Sequence, residues 1–139
     1  MSNALNYLAL ARKAGTAELG EEPVGAAARA NKAHLIIVAS DASDHTWRRA
    51  KSFVAGTAQQ CIRVPYTKDE IGFIIGRTSL ALAAFSDAAM ALAFVNALEK
   101  PENFTAAREV LEEKVAKLRV RSKEAKAHQR NLHRGRKKK

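Results

Sequence analysis

The stretch LGEEPVGAAARANKAHLIIVASD (Leu19–Asp41) decides the fold. Its second half, HLIIVAS, is a continuous apolar run rich in β-branched residues, the pattern of a strand covered on both faces. Its first half predicts a turn at Gly20 and a helix from Glu21 to about Ala30. Pro23 fits that helix only in the first turn, where its missing N–H costs nothing. A helix leading into a doubly covered strand is one unit of an α/β layered protein. The stretch also raises a functional question. Helix starts favour anions, because their N–H groups are unpaired and the dipole is positive there. This one opens on two carboxylates, Glu21 and Glu22, and so reads as a nucleic-acid contact edge, a relic of one, or a well-capped helix.

The same alternation extends outward in both directions. Upstream, residues 3–14 predict a helix with Leu5, Leu8 and Ala9 on one face. Gly15 ends it, and TAEL (Thr16–Leu19) is a short strand. Downstream, Ser43 caps a helix over about Asp44–Ala55, closed by Gly56, and QCIRVP is a further strand. In YTKDEI, Thr67 and Glu70 have capping-box spacing, and Tyr66 and Ile71 have staple spacing, for a helix running to Gly76. SLALAAFSD is a last buried strand, with Ser86 capping a helix over about Asp87–Leu98. The expected architecture is α/β: a three-layer α-β-α sandwich with a four-stranded mixed sheet, occupying residues 1–99.

Residues 100–139 differ in character. EKPEN (Glu99–Asn103) is a hinge, after which Phe104, Ala107, Leu111, Val115 and Leu118 form one apolar helical stripe. The stripe stops near Val120. RSKEAKAHQRNLHRGRKKK has little to bury, so a fraying helix or disordered tail is expected.

Charge divides along the same line. The 139-residue chain carries a formal +10. Residues 1–100 hold 11 Lys/Arg and 9 Asp/Glu, whereas residues 101–139 hold 13 and 5. From Lys114 onward, 12 basic residues face Glu124 alone. A nearly neutral body with a basic extension points to a polyanionic partner. No apolar run is long enough to span a bilayer, and the apolar stripe ends before the densest charge, which argues against a membrane surface. The charges Arg12 and Lys13 follow the first apolar segment, the reverse of a signal peptide. A single cysteine, Cys61, leaves no internal disulfide and no cysteine zinc site. A cytoplasmic monomer without cofactor is the expectation.

Little in the chain reads as catalytic. Cys61 sits mid-strand beside Ile62, as a buried structural thiol does. The four histidines lack helical metal-site spacing. Glu21 and Glu22 are adjacent and point to different faces. The Ser-Asp pairs at Ser40–Asp41 and Ser86–Asp87 are accounted for by helix capping. Trp47, in HTWRRAKSF beside Arg48, Arg49 and Lys51, is open to two readings: a base-stacking ring, or the half-buried side of a helix with a solvated basic face.

Taken together, LALARKAGTAELGEEPV, AHLIIVASDAS and VPYTKDEIGFIIGRTSLALAAFSD resemble the kink-turn RNA-binding ribosomal-protein superfamily, the type of the archaeal large-subunit protein seven Ae and eukaryotic thirty e. Within it the chain looks most like the bacterial YlxQ-like branch, over about Tyr7–Leu98. The resemblance implies a non-catalytic RNA-binding protein of the ribosome or another ribonucleoprotein. It also implies a binding edge built from Gly20, Glu21, Glu22 and Pro23, the turn at Asp41, and the loop Arg77, Thr78, Ser79. Lys13 and Arg29 would flank that edge, with Arg12 and Lys32 adding phosphate affinity. The chain departs from the superfamily pattern at Glu22, Pro23 and Ala26, which stand where Asn, Glu and Lys are usual. Arg77 stands where an apolar residue usually meets a flipped base. The tail, through Lys117, Arg119, Arg121, Lys123, Lys126, Arg130, Arg134, Arg136, Lys137, Lys138 and Lys139, would then clamp RNA phosphates. One alternative keeps the fold as a protein-interaction module, docking through the Phe104–Leu118 stripe. Another makes the chain a detached part of an RNA methyltransferase, though it has no cofactor-binding elements.

Overall fold

The computed structural model describes residues 4–137, with side chains described to residue 127. In chain order the elements are α1 (Ala4–Lys13), β1 (Ala17–Leu19), α2 (Glu21–Arg29), β2 (Leu35–Val38), α3 (Asp44–Val54), β3 (Gln60–Arg63), α4 (Lys68–Ile74), β4 (Leu82–Phe85), α5 (Ala88–Asn96), a 3₁₀ turn at Pro101–Phe104, and α6 (Thr105–Lys137). The four strands form one mixed sheet in the order β1-β4-β2-β3. β4 runs antiparallel to both its neighbours, and β2 and β3 are parallel. Helices α2 and α3 cover one face; α1, α4, α5 and the first half of α6 lie together on the other side. This is the expected sandwich.

Every residue of β2 and β4 is buried, as their apolar runs require. Leu8, Leu35, Ile36, Ile37, Phe85 and Phe94 are fully enclosed, and the Phe85 and Phe94 rings pack at 5.2 Å. The buried polar residue Gln59 is satisfied: its Oε1 accepts from Ala33 N at 2.8 Å, and its Nε2 donates to Ala28 O at 3.2 Å. It thereby ties the end of α2 to the start of β2.

Local chemistry sets the helix starts. The capping box is present, with Thr67 Oγ1 accepting from Glu70 N and Glu70 Oε1 accepting from Thr67 N. Ser43 caps α3. The cap of α5 is Asp87 rather than Ser86: its carboxylate accepts from Ala89 N at 2.9 Å, a charged acceptor at the positive helix end.

The stripe of α6 is internal. Ala107, Leu111 and Val115 are buried, with α5 the main neighbour of this helix, while Leu118 is half exposed. It is therefore not a free docking face. α6 also continues through 121–137 as one helix of 33 residues, where a fraying or disordered tail was expected. Its Lys, Arg, Glu, Gln and Ala residues are strong helix formers, so propensity sustains the helix past the last apolar contact.

Candidate nucleic-acid interface

Register fixes which loops share an end of the sheet. Ala17, Phe85, Leu35 and Gln60 line up across the four strands at one end. Val38 pairs with Leu82 and Arg63 at the other. The loops after β1, β2 and β3 and the loop before β4 therefore gather at this second end, termed the rim. Hydrogen bonds lock them together: Gly20 N donates to Leu82 O (3.2 Å), Ala39 N to Ala81 O (2.8 Å), Ser40 N to Tyr66 O (2.8 Å) and Leu80 N to Lys68 O (2.9 Å). Gly20, Asp41 and the loop Arg77–Ser79 thus share one edge.

Each predicted rim residue has a definite setting. Gly20 has φ +96° and ψ 166°, a region essentially confined to glycine, and this lets the chain turn directly into α2. Glu21, Glu22 and Pro23 fill the exposed first turn of α2. Glu21 is paired with Arg49 of α3, and the Arg49 guanidinium lies 5.3 Å over the Phe53 ring. Asp41 is also engaged, accepting from Lys68 N at 2.8 Å at the start of α4. Arg77, Thr78 and Ser79 are exposed. Glu21, Glu22, Asp41, Asp69 and Glu70 sit at this end beside Arg49, Lys68 and Arg77, so the rim is not a basic surface.

Two residues at the rim were not foreseen. Phe73 is 83% exposed, on the turn of α4 whose carbonyl receives Gly76 N. The signal was in the sequence: Ile71 and Ile75 are one helical turn apart and buried, which leaves Phe73 facing outward. The other is Gly72. A Cβ there would lie 2.6 Å from Ser79 Cα, and Gly72 O accepts from Arg77 N at 2.8 Å. Gly72 therefore lets the Arg77–Ser79 loop lie directly on α4.

Other predicted residues lie elsewhere. Lys13 and Arg12 end α1 just before β1, at the end of the sheet opposite the rim; flanking the RNA edge is not where the fold puts them. Lys32 is in the turn before β2, also at that far end. Arg29 stands at the C-terminal end of α2, about 12 Å of helix from Glu21, and lines a groove between α2 and α3 with Glu21, Glu22 and Arg49.

α6 connects the two ends. Asn103 and Phe104, just before it, lie with Val64 and Pro65 on the rim side. Lys114, Lys117, Leu118 and Arg121 lie with Asn31, His34, Ala58 and Ala88 at the far end. Lys117, Arg119, Arg121, Lys123 and Lys126 are exposed along the helix from there. The side chains of Arg130, Arg134, Arg136 and Lys137 fall beyond those described, and Lys138 and Lys139 lie outside the described residues. At the far end Lys114 Nζ lies 3.1 Å from His34 Nδ1. Burial, then the neighbouring ammonium, hold His34 below its ordinary pKa, and burial also lowers Lys114.

Cys61 offers no nucleophile. Burial pushes its thiol up to about 12, against the opposing pull of Lys51 and Arg63. Trp47 is half buried, with the Arg63 guanidinium 4.9 Å and the Lys51 ammonium 5.3 Å from its ring centre, so its ring already has cationic partners.

No protein-family model matches the chain, and neither does any curated protein. Solved structures do. A protein of unknown function from Bacillus halodurans is 24% identical with a TM-score of 0.64, over 69% of this chain and 96% of that one. The 15.5 kD RNA-binding protein of Giardia lamblia is 17% identical with a TM-score of 0.52, over 71% of this chain and 84% of that one. At these identities the likeness establishes a shared fold.

Proposed function

We propose that this chain is a non-catalytic RNA-binding protein that reads a bent, kink-turn-like RNA element, in the ribosome or another ribonucleoprotein, through its rim. The observation that carries the reading is the convergence of Gly20–Pro23, Asp41 and Arg77–Ser79 on one edge, locked by main-chain hydrogen bonds. The fold shared with an RNA-binding protein supports it. The rim's five carboxylates outnumber its three cations, and two of the carboxylates, Glu21 and Asp41, are already engaged. Phosphate attraction at the rim is therefore weak. Recognition rests on shape, on base amino groups donating to Glu22, and on stacking against Phe73 and Arg77. Aromatic and guanidinium planes are the usual partners of unstacked RNA bases.

The test is a titration of a kink-turn RNA, and of the same RNA with its G·A pairs replaced, against the full chain and against Phe73→Ala and Arg77→Ala. The intact motif is expected to bind more tightly than the mutated one. Phe73→Ala should weaken it by about 1–3 kcal/mol, the range for one lost base stack. Equal binding of both RNAs, unaffected by either substitution, would refute the reading.

A further inference from the structure

The far end of the sheet holds a groove of about 370 Å³ between α6 and the turns before β2 and β3. His34 and Asn31 form one wall, and Lys114, Lys117 and Arg121 the other. We propose that this groove seats the phosphate backbone of a second RNA segment, so that the protein bridges two RNA segments held at opposite ends of its sheet. The inference rests on the RNA reading above for the first segment only; the groove stands on its own geometry.

Three observations carry it. First, the innermost of the groove's cations, Lys114, is oriented before any ligand arrives. Lys114 is half buried and held against His34 at 3.1 Å, and no carboxylate is within ion-pair distance of Lys114 or Arg121 among the described residues. Lys117 keeps a loose, exposed contact with Glu113 at 3.5 Å. Asp87 is near enough to act electrostatically on His34, but its carboxylate accepts from the start of α5. Second, Lys114, Lys117 and Arg121 climb one helix face in steps of about 4.5 and 6 Å. A linear array of cations suits a linear array of phosphates. Third, the rim is at the other end of the strands, with the body of the domain between. A domain of about 100 residues is roughly 30 Å across, so an RNA element confined to the rim does not reach the groove.

The experiment uses the full chain and two triple variants with equal charge loss. One removes the groove cations (Lys114→Gln, Lys117→Gln, Arg121→Gln). The other removes outward cations of the same helix (Arg119→Gln, Lys123→Gln, Lys126→Gln). The probe is a fluorescent twelve-residue oligouridine, which has no G·A pairs for the rim to read. The groove variant is expected to bind it at least tenfold more weakly than the outward variant, with the log–log salt slope reduced by about 2, roughly 0.7 for each of three lost single-strand contacts. Kink-turn RNA affinity should change less than threefold in both. Immobilised kink-turn RNA loaded with the parent protein should capture oligouridine, and the groove variant should not. Equal losses in the two variants would show charge without a site. Displacement of kink-turn RNA by oligouridine would show one site rather than two. Tighter binding of polyglutamate than of oligouridine would assign the groove to an acidic protein. Each of these overturns the proposal. Failure of the rim reading would register separately, as loss of discrimination between the two kink-turn RNAs with oligouridine binding intact.

Discussion

Gly72→Ala puts the link between fold and rim to a direct test. The added Cβ would lie 2.6, 2.7 and 2.9 Å from Ser79 Cα, N and C. Carbon pairs are comfortable at about 3.5 Å or more, so α4 or the Arg77–Ser79 loop has to move by close to 1 Å. The obstacle is backbone, which cannot swing aside as a side-chain end does. Overpacking of this kind costs about 1–3 kcal/mol, while Ala for Gly within a helix returns up to ~1 kcal/mol. The expected net is about 1–2 kcal/mol of destabilisation, a fall in Tm of several degrees. The Arg77 amide, bonded to Gly72 O at 2.8 Å, should exchange faster with solvent. Kink-turn RNA should bind more weakly, while oligouridine, directed to the far end, should bind as before. Gly25→Ala is the control. Its Cβ would meet Phe53 ring carbons at 3.1 and 3.2 Å and Arg29 Nη1 at 3.4 Å, all of them side-chain ends that can give. That variant should stay within about 1 kcal/mol of the parent. A Gly72→Ala protein as stable as the Gly25→Ala one, with its RNA affinity intact, would refute the reasoning.

Arg49→Ala should change stability by less than about 1 kcal/mol, because its pair with Glu21 is half exposed on both sides and screened by water; a chemical denaturation curve checks this. Cys61 should react with iodoacetamide at pH 8 at least about tenfold more slowly than an ordinary thiol, since burial raises its pKa from 9.0 to about 12 and the thiolate is the reactive form, the lost thiolate being partly offset by its greater nucleophilicity; fast labelling of the native protein would contradict the packing around β3. His34 titrates near 6.5 in the unfolded chain and lower in the folded one. Below about pH 6.5 the unfolded state therefore binds a proton that the native state refuses, and stability falls with pH until the folded pKa is passed. In His34→Gln, whose amide oxygen can still accept from Lys114, that part of the pH slope should vanish from denaturation curves taken between pH 7.5 and 5.

What was legible in the sequence was what short-range chemistry fixes. The β2 and β4 runs are apolar throughout because both faces are covered, and they read as such without knowledge of their partners. Thr67 and Glu70 announce the start of α4 because both halves of the capping box lie within four residues. The α5 start was misassigned by one position, because Ser86 and Asp87 are both good caps and the turn geometry decides between them. The site was harder to read. Lys13 is close to Gly20 in sequence, but β1 lies between them and carries the chain from one end of the sheet to the other. Phe73 was hidden inside an apolar run, IGFII, whose neighbours are core residues. The stripe of α6 was visible as an amphipathic helix. That its apolar face meets α5, rather than a partner, depends on the direction in which the chain leaves the turn at Pro101–Phe104.

The carboxylates that open α2 take on a specific meaning in this architecture. Glu21 and Glu22 suit the positive end of the helix whatever the protein binds, and Arg49 answers Glu21 from the neighbouring helix. The rim thus has no cationic surplus: beyond that pair, Glu22, Asp41, Asp69 and Glu70 outnumber Lys68 and Arg77. The far end gathers Arg12, Lys13, Lys32, Lys114, Lys117 and Arg121. A protein that gripped one RNA with both surfaces would need that RNA to travel the full length of the sheet, past an exterior that includes Glu18 of β1 and Glu112 and Glu113 of α6. Separate contacts avoid that path. They also divide the work: the rim discriminates among folded RNAs through geometry and stacking that salt barely touches, and the far end supplies counterion-driven affinity that falls steeply with salt. Discrimination between intact and mutated kink-turn RNA should therefore hold as salt rises, even while total affinity for long RNA drops.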